Sequence, residues 1–278
     1  MVLYFTHYGI NIFYNPKNSI GRKVNLGKHQ PKNAMVVVAH ADDAEYGCSG
    51  TVAMLTNVGI EVTYVLCTDG SKGSNDPNMT SEKLIELRKQ EQLDAAKVLG
   101  LKDVVFLNYP DSHLEPSLNL RHDIAQEIRR YKPNIVITTY PSRNLSSHHG
   151  IGGHPDHIAA GEATLSAVFP TARDRLTYPD MIKKGLLPHN VAEAWVMGAP
   201  DTNLWIDVTP YINISFDALS QHKSQVQSFT KEDGLKRMKD WRQHTATKTS
   251  FTYAESFKRI VIEDSLEIPG DYLYTSDI

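Results

Sequence analysis

Residues 34–50 read AMVVVAHADDAEYGCSG. The stretch opens on an unbroken small and apolar run with three consecutive valines, then turns acidic at once. A run without polar alternation suits a central parallel strand that is buried on both faces. Beyond it, Thr51, Met54, Leu55 and Val58 recur at helical spacing, and Gly59 stops the helix. The polar cluster His40, Asp42, Asp43 therefore falls on the turn between the first strand and the first helix.

The same alternation continues outward. IEVTYVLC (60–67) is a second strand and ends at Thr68-Asp69-Gly70. A long amphipathic helix is predicted over 81–99, with Leu84, Leu87, Leu93, Ala96 and Leu99 as its apolar stripe and Gly100 as its stop. VVFLN (104–108) is a third strand, 118–131 a helix closed by Pro133, and NIVITTY (134–140) a fourth strand. Strands and helices in strict alternation, joined by short links, predict an α/β fold: a Rossmann-like, mostly parallel sheet flanked by helices, with right-handed crossovers. Ligands of such sheets sit outside the carboxyl ends of the strands, which singles out loops 40–47, 68–80 and 140–157.

The second half is less regular. Two further strands are expected at 192–198 and 203–209, with an antiparallel arrangement open to them, and helices over 211–226, over 231–244 and from near Thr252. No linker or repeat divides the chain, so residues 1–278 read as one domain. It comprises an N-terminal extension (1–33), a core (34–170) and a C-terminal elaboration (171–278).

Composition narrows the class of partner. Lys and Arg number 29 against 32 Asp and Glu, a net charge of -3, which supplies no field for nucleic acid or an anionic membrane. No apolar run nears the length of a membrane span, and the amino terminus lacks a signal-peptide pattern. A cytoplasmic location is the expectation. Cys48 and Cys67 read as small core residues, not as a disulfide framework.

Chemistry concentrates in two places. His40 and Asp43 are three residues apart, and Gly153-His154-Pro155-Asp156-His157 follows the fourth strand and opens a helix. Imidazole and carboxylate are suitable Zn²⁺ ligands at about 2.0–2.2 Å, and a catalytic site takes three of them and keeps a position open. Each cluster alone has a plainer use, because aspartates cap helices and histidines occur in loops. Together, at the ends of two strands of one sheet, they point to a metal site.

In order, the stretches AHADDAEYGCSG, CTDG, LRKQEQLDAAKVLG, FLNYPDSHL and GHPDH resemble the PIG-L/LmbE-like family of zinc-dependent N-deacetylases, across roughly residues 34–170. Ala41 stands where many members carry proline. The resemblance implies that His40, Asp43 and His157 bind the metal, Zn²⁺ or another divalent ion such as Fe²⁺ or Co²⁺. It implies Asp42 as general base, His154 as oxyanion stabiliser and acid, and Asp156 as the group orienting His154. Arg88, on the Arg-x-x-Glu helix, would hold a substrate hydroxyl or anionic group. Asp69 is either the turn-former of Thr-Asp-Gly or a second substrate-binding group. The implied substrate is a GlcNAc-type amino sugar or conjugate, and family members are often homo-oligomers. Asp111 and His113 follow the third strand at the same sheet edge, where either could line the pocket but loop residues are common; His148 and His149, alternative ligands in principle, read as loop residues too. A nucleotide-binding alternative expects Gly-x-Gly-x-x-Gly after the first strand, where HADDAE places acids that repel phosphate. A non-catalytic sugar- or metal-binding protein has no need of Asp42 and His154.

Overall fold

The computed structural model describes residues 30–143, 153–226, 230–263, 266–268 and 270–275. The strands are β1 (Asn33–Val38), β2 (Glu61–Thr68), β3 (Asp103–Tyr109), β4 (Ile135–Thr139), β5 (Glu193–Met197), β6 (Leu204–Asp207), β7 (Ala254–Val261) and β8 (Leu273–Thr275). The helices are α1 (Asp43–Asn57), α2 (Ser81–Leu99), α3 (Leu118–Tyr131), α4 (Pro155–Ser166), α5 (Pro179–Lys183), α6 (Ile212–Leu219), α7 (Lys223–Val226) and α8 (Lys231–Thr245). None among the described residues is long and apolar enough to cross a membrane.

One sheet runs through the fold in the order β3-β2-β1-β4-β5-β7-β6-β8. β1 pairs in parallel with β2 and β4, and β5 in parallel with β4. Successive residues of β1 point to opposite faces. Val36 and Val38 enter one core with Val52 and Leu55 of α1, while Met35 and Val37 enter the other with Ile124 of α3 and Ala160 of α4. All four β1 side chains are fully buried, each contributing about 1.5–3 kcal/mol. This is why the strand shows no polar alternation. Cys48 and Cys67 are buried free thiols.

Three expectations are corrected. The stretch from Thr252 is not a helix but β7, inserted antiparallel between β5 and β6. Its charged residues find partners, Arg259 on Glu193 of the neighbouring β5 and Glu255 on Arg242 of α8, and sheet pairing outweighs local propensity there. As a result β5 and β6 do not pair with each other; both pair antiparallel with β7. The expected 211–226 helix breaks after Leu219, where the chain turns to bury His222 completely against Glu45. The buried face of α2 also differs. It runs through Leu84, Arg88, Glu91, Gln92 and Leu99, whereas Leu87 is exposed.

Gly161 lets α4 pack hard against the end of β4. A Cβ there would stand 2.3 Å from the Thr139 carbonyl oxygen, a backbone atom with no freedom to yield. Gly161→Ala is expected to cost about 1–3 kcal/mol, the usual penalty of overpacking, measured as a lower midpoint in urea unfolding. An unchanged midpoint would mean that α4 can shift freely on the strand.

Candidate active site

The sheet order reverses direction at β1, since β2 and β3 lie on one side of it and β4 and β5 on the other. Loops leaving the carboxyl ends of β1 and β4 diverge, and a crevice opens between them. Residue His40 leaves β1 into this crevice. His154, Asp156 and His157 enter it at the start of α4, where the Thr139 hydroxyl at the end of β4 donates to the His157 carbonyl at 2.6 Å.

Three donor residues converge. His40 Nδ1 lies 3.3 Å from His157 Nε2, and the Asp43 carboxylate closes the group with both oxygens, Oδ1 2.9 Å from His157 Nε2 and Oδ2 3.5 Å from His40 Nδ1. Ligands about 2.1 Å from a tetrahedral ion stand about 3.4 Å apart, so these atoms fit a shared divalent cation. His40, His154 and Asp156 also lie close enough to form a metal-binding group. That second group is already occupied by hydrogen bonds. Asp156 accepts the backbone N–H groups of Ser112 (2.7 Å) and Leu114 (3.3 Å), and His154 Nδ1 accepts that of Asp156 (3.2 Å).

The electrostatics agree. Burial acts to lower the pKa of His40, yet the Asp111 and Asp43 carboxylates outweigh it and raise it to about 10. Burial likewise opposes the charge on Asp43, but hydrogen bonds from His157 and His40 hold this carboxyl well below the usual range. The far nitrogen of His40, Nε2, faces Asp156 at 3.2 Å and Asp111 at 3.3 Å. A carboxylate on the second nitrogen is what fixes the ring and tautomer of a metal-binding histidine.

Asp42 stands at the N-cap position of α1 in the left-handed conformation (φ 86°), yet its side chain caps nothing. A non-glycine residue at such an angle is strained, and the strain is retained where surrounding structure demands it. Burial, then the charge of Asp43, raises its pKa to about 7. No capping bond engages this carboxylate, which belongs to the residue immediately before Asp43.

Other residues sit differently from their sequence reading. Asp156 contacts His40 more closely than His154, whose Nδ1 is 3.9 Å from the nearest Asp156 oxygen. Burial first, and then the charge on His40, lower the pKa of His154 against the pull of Asp156, which works against the charged form of the ring. Because Nδ1 accepts the Asp156 N–H, the ring proton belongs on Nε2. Arg88 is buried; its Nη1 donates to the Gly70 carbonyl at 2.9 Å and lies 3.5 Å from Asp111. Asp69 Oδ1 accepts the N–H groups of Ser71 and Asp111, the turn-forming use of an aspartate, and it reaches the site through Asp111.

Asp111 was read as a loop residue, but it joins His40 to Arg88. No short motif marks it, and its place at a strand exit was the available signal. His113 bonds back to the Asp111 carbonyl. His148 and His149 lie outside the described residues.

Comparison with known proteins agrees with this geometry. A family profile described as PIG-L: GlcNAc-PI de-N-acetylase matches residues 35–168. The chain is 30% identical over 203 residues to the diacetylchitobiose deacetylase of Thermococcus kodakarensis, covering 73% of each protein. The chain belongs to the PIG-L family. Another PIG-L relative, the probable N-acetyl-alpha-D-glucosaminyl L-malate deacetylase 2 of Bacillus subtilis, is 32% identical over 206 residues, 72% of this chain and 86% of that one. Among solved structures, N,N'-diacetylchitobiose deacetylase from Pyrococcus horikoshii superposes with a TM-score of 0.76 at 26% identity, covering 83% and 84% of the two chains.

Proposed function

We propose that this chain hydrolyses the N-acetyl amide of a GlcNAc-type amino sugar or sugar conjugate, using a divalent cation, Zn²⁺ in first place, held by His40, Asp43 and His157. The observation that carries the reading is the group of donor atoms at 2.9–3.5 Å beside a carboxylate, Asp42, that caps no helix. Deacetylase relatives that act on GlcNAc-containing compounds support the substrate class.

When bound, the cation supplies Lewis acidity, which lowers the pKa of water and polarises the amide carbonyl. Asp42 accepts the proton of the attacking water at its carboxylate, as a general base that must both take and return a proton. The neutral His154 presents its Nε2–H as a hydrogen-bond donor to the oxyanion. Asp42 then hands its proton to the leaving amine. Arg88, aligned by Asp111 and the Gly70 carbonyl, takes a sugar hydroxyl on the opposite side of His40 from His157.

The test is acetate release from a panel of N-acetyl amino sugars, before and after chelation. Release is expected from at least one GlcNAc derivative, lost with chelator and restored by Zn²⁺. Release that ignores the chelator, or none from any compound while the metal is bound, would overturn the reading.

A further inference from the structure

Two cavities that share Tyr46 and Trp241 in their walls lie on the His157 side of the site. The first, about 560 Å³, is lined by Asp43 and His157 and extends past Tyr46 and Trp241. The second, about 410 Å³, lies between α6 and α8, and Tyr46 and Trp241 also form part of its wall. Phe216, Leu219, Val226 and Met238 supply much of the remaining surface, and three of these four belong to one small apolar cluster of buried residues. Tyr46 follows Asp43 by one turn of α1, so the apolar chamber begins a single helical turn from the metal group.

Trp241 is half exposed, yet it is not a loose surface ring. The Arg242 guanidinium stacks 4.5 Å from its centre, and that guanidinium is itself buried and bonded to the Tyr46 carbonyl at 2.6 Å and to Glu255 at 2.7 Å. The indole is thereby fixed at the boundary between the cavities. Half-exposed aromatic surface held in place this way is a means of receiving an apolar ligand.

The two sides of His40 differ in chemistry. Its Nε2 edge faces Asp111, Asp156 and, through Asp111, Arg88. Its Nδ1 edge faces Asp43 and His157, and the cavity beyond these two has Tyr46, Ile158, Met197 and Trp241 in its wall, with Thr245 and Ser256 among its polar members. An amide lying across the cluster with its sugar hydroxyls on the polar edge directs its acyl group toward Tyr46 and Trp241.

We infer that this chamber is an acyl-chain pocket, and that the enzyme removes medium-length N-acyl groups from amino sugars, not acetyl alone. The inference rests on the amide-hydrolase reading of the site. Water adds across the C–N bond, releasing a fatty carboxylate and the free amine, with no other co-reactant.

The metal-loaded full chain would be assayed on N-acetyl-, N-butanoyl-, N-hexanoyl- and N-octanoylglucosamine. The expected kcat/KM rises about fourfold for each methylene buried, until the chamber is full. Trp241→Ala should lower the octanoyl-to-acetyl ratio at least tenfold. Gly234→Leu, on the wall of the chamber, should lower the same ratio by filling it, and because leucine is the better helix former a loss of fold would not be the cause. A ratio that is flat or falling with chain length in the native chain overturns the pocket while leaving the deacetylase reading standing. So does a gain that appears only when the octyl chain is moved to the anomeric carbon of an N-acetyl substrate. If no compound is cleaved, acetyl included, with metal bound, the reading of the site fails and the pocket fails with it.

Discussion

Replacing His157 with alanine is expected to lower divalent-metal affinity at least 100-fold, to roughly the limit of retention through a desalting column, and to abolish acetate release. Loss of an outer-sphere partner typically costs 10–100-fold in metal affinity; loss of a donor must cost more. With His157 gone, only His40 Nδ1 and the Asp43 carboxylate remain of the group, and two protein donors are too few for a stable catalytic site. The fold should survive. The His157 side chain is about one-third exposed, and it is the backbone carbonyl of this residue, unaffected by the change, that takes the Thr139 hydroxyl. Metal content by plasma emission and a thermal melt in chelator separate the two effects. Asp43→Asn makes a second case, since it keeps the shape and an oxygen for the His40 N–H now bonded at 2.8 Å but removes the charge that favours a cation. A His157→Ala protein carrying one metal ion per chain would remove the basis for the whole site.

The sequence exposed this centre because its parts are local. His40 and Asp43 share one turn, His154 and His157 share another, and the apolar runs before them announce the strands that bring the turns together. What stayed hidden depends on distance along the chain. Asp111 has neighbours in Ser112 and His113, but its meaning comes from His40 and Arg88, which reach it from the end of β1 and from α2. His222 is buried against Glu45 and, with Gln92 on the same carboxylate, packs beneath α1, a contact between residues 177 positions apart that no periodicity reports. The α2 stripe misled for a related reason. Arg88, Glu91 and Gln92 are polar by type but are buried themselves and find partners in Gly70, Ser224 and Glu45, so the face that packs is not the most apolar face. β7 was misread because the partners of its charged residues, Glu193 on β5 and Arg242 on α8, lie away from it in sequence.

Asp42→Asn is expected to lower kcat about 1000-fold, within the 10²–10⁴ range of a lost general base, with metal content unchanged. The choice of replacement matters. Asn tolerates the left-handed conformation that residue 42 adopts, whereas alanine there adds strain of about 1–2 kcal/mol per residue, so a loss in Asp42→Ala mixes chemistry with folding. Asp42→Gly reverses that bias. Glycine enters positive φ without steric cost, and the carboxylate buried beside Asp43 disappears, so this variant should melt no lower than the native chain while being as inactive as the Asn variant. The sign of the pH effect follows from the same group. A base works only when unprotonated, so native activity should fall as pH drops through the pKa of Asp42, which burial and the Asp43 charge raise to about 7 without an ion and which a bound cation would draw lower. The Asn variant, having no carboxyl to protonate, should lack that acid limb. An Asp42→Gly protein that melts higher and still releases acetate at the native rate would show that the strained carboxylate is not the base, whatever the metal does.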